Sequence, residues 1–138
     1  MSFISPMLRN EQGRFGLVNS RNQANLAHRL LPAFDSASRR TGLLKHESLP
    51  EGEAMIIAPG GAIHTFFMRF PIDVAFVAKD GRVMKVCHAV QPWRVAAALL
   101  AFAVVELPAG VLERSKTERG DHLVVVPATG IAPTSVQP

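Results

Sequence analysis

Residues 72–89 read IDVAFVAKDGRVMKVCHA, two runs of β-branched and apolar residues on either side of Asp80-Gly81. Asp-Gly between two such runs is the strongest short-range signal for a β-hairpin, since both residues tolerate the left-handed backbone of a turn that matches strand twist. A sheet-based fold follows. Two registers fit this turn. A two-residue loop sets Lys79 against Arg82 and Asp73 against His88, whereas a three-residue loop with a bulge moves Asp73 to face Cys87. The register therefore decides whether an acid–imidazole pair exists.

The segment that feeds this hairpin, Ile63–Val77 (IHTFFMRFPIDVAFV), sets His64, Thr65, Arg69 and Asp73 among Phe66, Phe67, Met68, Phe70, Ile72 and Val74. A core strand does not hold an Arg and an Asp unless something pairs with them, because an unpaired buried charge is very costly. Either Asp73 pairs with a cation, Arg69 or Arg94, or these groups face a cleft.

The chain of 138 residues, 48% hydrophobic and 19% charged, has the size and balance of one folded domain. Cys87 is the only cysteine, which excludes an intrachain disulfide and a Cys-rich zinc framework, and a cytoplasmic location is expected. The N-terminus lacks the apolar core of a secretory signal and is expected to stay uncleaved. The longest apolar run, Val95–Val105, is well short of the roughly 18 residues of a membrane span, so no membrane partner is expected. Residues 1–50 carry 7 Lys+Arg against 3 Asp+Glu and residues 51–138 carry 8 against 8, so the net +4 is N-terminal. Its arginines are single apart from Arg39-Arg40 and have no interleaved aromatics, which disfavours nucleic acid as a partner.

Along the chain, residues 1–24 read as a partly irregular leader with at most one short strand at Phe15–Asn19, 25–127 as a single β-rich domain, and 128–138 as a C-terminal tail. Asn25–Ala33 fits an edge strand ending at Pro32. Asp35-Ser36 caps a helix of about two turns that Gly42 ends. Ala54–Ala58 is a short core strand leading into Pro59-Gly60-Gly61. Beyond the hairpin, Pro92 breaks the chain before Trp93-Arg94, Val95–Ala101 reads as a helical turn or apolar loop, and Phe102–Leu107 as a strand with Glu106 as its lone charge. A short helix at Val111–Lys116 and a last strand at His122–Pro127 complete a compact α+β domain, with a mostly antiparallel, curved or barrel-like sheet and two short helices. Phe66, Met68, Ile72, Val74, Phe76, Val83, Val105, Leu107 and Val124 are the expected core.

In order along the chain, IHTFFMRFPIDV, the Asp-Gly hairpin, PWR, VVELPAG and RGD followed by HLVV resemble domain of unknown function family 192, over roughly Ala54–Val126. The resemblance implies a compact β-rich α+β domain. The family has no settled activity, so no catalytic residue carries over. Members similar in this motif often have a cysteine at the position of Gly60 and a glycine near Ser115-Lys116. Without that cysteine, a Cys–His pair beside His64 is closed to this chain.

Three functions fit. The first is a binding module whose cleft, framed by Gly60, Gly61, His64, Arg69, Asp73, Trp93, Arg94 and Glu106, takes a small polar or anionic ligand, for which arginine is the suited partner. The second is an acid–base or hydrolytic enzyme, with His64 or His88 as base and Asp73 or Glu106 orienting it, although no Ser or Cys sits in a nucleophile turn. The third is a structural or interaction domain that uses the apolar Val95–Phe102 segment, including for self-association. The five histidines are scattered with none at i, i+4 spacing, so no metal and no cofactor is expected.

Overall fold

The structure is a computed structural model that describes residues 1–43 and 46–128. In chain order its elements are α1 (Ser5–Arg9), β1 (Phe15–Asn19), β2 (Ala24–Ala27), β3 (Arg29–Ala33), α2 (Ser36–Thr41), β4 (Glu53–Ile57), β5 (Ala62–His64), β6 (Ile72–Val77), β7 (Val83–Val90), β8 (Val95–Ala97), β9 (Ala103–Pro108), α3 (Val111–Arg114) and β10 (Leu123–Pro127). The central sheet has the order β3-β4-β9-β6-β7, parallel only between β3 and β4. A second sheet, β10-β1-β2, is antiparallel, and β5 pairs with β8 as a two-stranded ribbon. This is an α+β domain of open sheets rather than a closed barrel.

The hairpin forms around Asp80-Gly81. Ala78 N–H donates to Arg82 O (2.8 Å) and Gly81, at φ +93°, donates to Ala78 O (2.9 Å), giving a three-residue loop. Val77 then opposes Val83, but a bulge restores the pairing of Val74 with Cys87, and a second irregularity brings Ile72 opposite Val90. Neither simple register survives the whole length of the hairpin, because bulges add one residue at a time to β7.

β6 and β9 are buried at every position, which is why their sequences are continuous apolar runs without alternation. One face of the central sheet (Ala75, Val77, Val105, Leu107) packs on Leu17, Leu26, Leu123 and Val125 of the second sheet. The other face (Ile72, Val74, Phe76, Val104) lies under Leu43, Leu49 and Met68, with Ile63 and Ala96 of the ribbon packed against them.

Several elements differ from the sequence reading. Residues 1–24 supply α1 as well as β1, and Ile4, Met7 and Leu17 enter the core. Three short helices form instead of two. Asn25–Ala33 splits at His28, where the chain passes from the second sheet to the edge of the central one, and Pro32 sits on that edge. Val95–Ala97 is a strand, since β5 offers it a partner. In β10, Leu123 and Val125 point inward and Val124 is exposed, while Phe66 is half-buried. Residues 129–138 of the tail lie outside the described residues.

Candidate functional site

Two carboxyls occupy adjacent strands at the centre of the molecule. Asp73 lies on β6 opposite Leu107, and Val74 opposite Glu106, so strand alternation sends the two acids to opposite faces of the sheet. Asp73 is fully buried. Its Oδ1 accepts from Ala89 N–H (2.8 Å), and its Oδ2 accepts from Gly110 N–H (3.0 Å) and Leu112 N–H (2.9 Å). The carboxyl thereby ties the second β7 bulge, where Ala89 has φ +48°, to the first turn of α3. Main-chain amides hold it, not the cation expected from sequence. Arg69 Nη1 instead bonds Glu47 Oε1 (3.1 Å), and Arg94 Nη1 bonds Trp93 O (3.3 Å). His88 is exposed and makes no bond to Asp73.

Glu106 faces the other way, into a hollow of about 70 Å³ bounded by the end of α2 and by β5. Arg39, Arg40 and Gly42 contribute from α2 and its cap, Met68 from the loop after β5, and His64 from β5 itself. The local sequence explains how α2 gets there. Asp35 Oδ1 accepts from Ser38 N–H (2.8 Å) to start the helix, and Gly42, at φ +48°, ends it. The Glu106 carboxyl has neither a hydrogen bond nor an ion pair among the described residues. Burial pushes its pKa up from 4.5 to about 7.

Directly after His64, Thr65 is fully buried, and its hydroxyl donates to Gln91 O (2.7 Å) and accepts from Arg94 N–H (2.9 Å). Thr65 N–H also donates to Arg94 O (2.8 Å), and Trp93 N–H to Thr65 O (3.0 Å). These bonds place an aromatic series at the end of the ribbon. The rings of His64 and Phe66 are 5.0 Å apart, those of Phe66 and Trp93 5.8 Å, and those of Phe67 and Trp93 4.6 Å.

Of the eight residues expected to frame a site, His64 and Glu106 share the hollow. Trp93 and Arg94 stand on the ribbon's outer end, Arg69 lies on the surface with Glu47, and Asp73 is sealed in the sheet. Gly60 spends its N–H on Phe102 O (2.9 Å). A Cβ on Gly61 would come 2.8 Å from Ala98 O, so this glycine permits the close approach of two chain segments. Arg39 and Arg40 were missed, because only the fold brings α2 to β9.

A separate polar cluster ties β1 to the loop before β10. Asp121 accepts from Arg21 Nε (2.7 Å), Asn19 Nδ2 (2.8 Å) and Glu118 N–H (2.9 Å), and these partners, the Arg21 guanidinium foremost, hold its pKa down at about 2. With every oxygen engaged, this cluster reads as scaffold.

A compact, mixed-sheet α+β domain with a carboxyl-floored hollow under an aromatic-ended ribbon is the class this geometry defines. The chain belongs to domain of unknown function family 192, described as an uncharacterised conserved family, whose pattern it matches over residues 18–125. No curated protein matches the sequence. Two solved structures are similar in fold. One is a protein of unknown function from Novosphingobium aromaticivorans, 24% identical with a TM-score of 0.69, the match covering 80% of this chain and 82% of that one. The other, from Sinorhizobium meliloti and described as a candidate transcription regulator, is 22% identical with a TM-score of 0.70, covering 80% of this chain and 91% of that one. No helix among the described residues is long and apolar enough to cross a membrane.

Proposed function

We propose that this domain is a small-ligand-binding module whose site is the hollow between α2, β5 and β9. The observation that carries it is Glu106, a carboxyl on a buried strand that makes no hydrogen bond or ion pair among the described residues and opens into the hollow. Burial disfavours the charged carboxylate, and a ligand that donates a hydrogen bond or a positive charge to it in the hollow offsets that cost. At about 70 Å³ the hollow holds one polar group of a ligand, not a whole drug-sized molecule, for which some 300 Å³ or more is usual. The remainder of the ligand lies outward, where Arg39, Arg40 and His64 suit an anionic part. A small zwitterion or amino-bearing acid meets both demands.

The test is a melting-temperature panel of amino acids, small amines, carboxylates and phosphate esters on wild type, Glu106→Gln and His64→Ala. A ligand at about 100 times its Kd stabilises by roughly 2.7 kcal/mol, a readily measured rise. The expected result is that an amino-bearing acid raises the wild-type melting temperature and fails with Glu106→Gln. No response to any compound, or one that survives Glu106→Gln, rejects this site.

Acid–base catalysis is a second reading, favoured by one observation: Glu106 titrates near neutrality in the hollow that also holds His64, as a proton-transferring group must. The candidate groups at this hollow are Glu106 within it and His64 at its edge on β5, whereas Asp73 is sealed in the other face of the sheet.

A further inference from the structure

The ribbon exposes apolar side chains in a way the rest of the molecule avoids. Of the eight large hydrophobic residues exposed among the described residues, five lie in the ribbon or its end loops: Phe67, Trp93, Val95, Leu99 and Leu100. Cross-strand pairs share a face, so Ala62 with Ala97 and His64 with Val95 form the outer face, while Ile63 and Ala96 turn to the core. At one end, the His64, Phe66, Trp93 and Phe67 rings form a continuous series. At the other, Ala101 N–H donates to Ala98 O (3.2 Å), closing a turn with Leu99 and Leu100 at its tip, 87% and 85% exposed.

The backbone presents these side chains at a cost. Phe67, Trp93 and Leu100 have φ of +67°, +68° and +70°, the left-handed region that bulky residues rarely occupy. Three large apolar side chains that are both exposed and held on a disfavoured backbone mark a surface shaped for contact.

Charge selects the occupant. Residues 54–72 and 81–105, which hold the ribbon and its end loops, contain no Asp or Glu. Lys85 Nζ reaches the ribbon edge at Ala97 O (2.9 Å), and Arg94 follows Trp93 directly. A second copy docking through this face would bring Lys85 and Arg94 towards their own counterparts, and Glu47, the acid the fold brings to the neighbouring loop, is already paired with Arg69. Single-stranded nucleic acid would find rings at the Phe66-Trp93-Phe67 end, but it also needs a cationic track along the chain, and the Leu99-Leu100 tip supplies neither rings nor cations. We propose that the ribbon is a docking surface for an anionic lipid bilayer, with the Phe67-Trp93 knuckle and the Leu99-Leu100 tip entering the interfacial region and Lys85 and Arg94 meeting the headgroups. Tryptophan and leucine at the membrane interface, flanked by cations, are the composition such contact requires.

Trp93 is the only tryptophan, so its emission reports on this surface alone. The full-length protein is mixed with vesicles of phosphatidylcholine and with vesicles of equimolar phosphatidylcholine and phosphatidylglycerol, then followed by co-sedimentation and fluorescence. The anionic vesicles are expected to retain the protein and shift Trp93 emission to the blue, with the effect reduced at high salt. The double variant Leu99→Ser/Leu100→Ser, whose exposed side chains leave the fold intact, should lower the partition coefficient about tenfold or more. Arg94→Ala should lower it about fivefold at low salt. The proposal is overturned if neither vesicle retains the protein or shifts Trp93. It is equally overturned if wild type self-associates without lipid and the double variant abolishes that association, or if an oligonucleotide shifts Trp93 emission and the vesicles do not.

Discussion

Asp73 and Glu106 are both carboxyls in fully buried strands of the same sheet, one register step apart, and the protein treats them in opposite ways. Asp73 is surrounded by three main-chain N–H donors, while Glu106 meets a small hollow and no partner among the described residues. The difference lies in what covers each face. Over Asp73, the β7 bulge and the start of α3 turn unpaired amides inward. Over Glu106, the end of α2 and the short ribbon leave a gap. A satisfied buried acid is scaffold, and an unsatisfied one is where chemistry or a ligand belongs.

The sharpest way to break this comparison is to substitute Asp73 by Asn. The amide keeps one acceptor oxygen and turns an NH2 towards backbone donors, leaving buried N–H groups unsatisfied. A loss of about 3–5 kcal/mol is expected in urea unfolding. A loss below about 1 kcal/mol would mean that the bulge and α3 hold themselves, and the contrast with Glu106 would collapse.

Glu106 should behave in the reverse sense, through pH. Its folded pKa of about 7 lies above its ordinary 4.5, so the folded state keeps the proton that the unfolded chain gives up first. Its contribution is fully present below pH 4.5 and lost as pH rises through about 7, amounting to about 3 kcal/mol. Glu106→Gln should therefore be more stable than wild type at pH 8 and level with it near pH 4. Asp121 supplies the opposite slope at the acid end: its pKa is depressed to about 2, so its contribution is present above 3.8 and fades as pH falls towards 2. An Asp121→Asn variant that keeps the wild-type acid midpoint would remove the Arg21–Asp121 tie from the account.

Much of the fold was legible because its signals are local. Asp80-Gly81 marks the hairpin, Asp35 and Gly42 mark the ends of α2, and Pro32 marks an edge. The acids were not legible in the same way. The donors to Asp73 lie 16, 37 and 39 residues along the chain and are main-chain N–H groups, which no residue type announces. Arginine looked like the natural partner only because side chains are what a sequence displays. The ribbon failed for another reason: strands of three residues are too short to show a period of two. In β10, valine on both parities hid which side faced in.

Thr65 links the two regions and should give an intermediate effect. Its hydroxyl bonds both Gln91 O and Arg94 N–H, so Thr65→Val leaves two partly buried backbone groups of the 91–94 loop short of a partner. A cost of about 1–2 kcal/mol is expected, together with lower Trp93 fluorescence anisotropy as that loop loosens. Unchanged anisotropy would show that the Trp93 N–H bond to Thr65 O is enough to hold the knuckle.

The smallest effect expected on stability belongs to His64, and it decides between the two functional readings. The imidazole is exposed, and its contact to Phe66 is at 5.0 Å between ring centroids, so His64→Ala should change stability by less than about 0.5 kcal/mol. Because burial raises the Glu106 pKa, the pH window over which wild type loses stability should also stay in place when the imidazole is removed. A His64→Ala variant with an unshifted window leaves Glu106 as a lone buried acceptor, the arrangement a binding site needs. A window that moves would mean that the carboxyl and the imidazole exchange charge influence across the hollow, as the members of an acid–base pair do. The stability profile of this one variant, measured from pH 4 to 8, shows whether the carboxyl and the imidazole are coupled, which the acid–base reading requires and the binding reading does not.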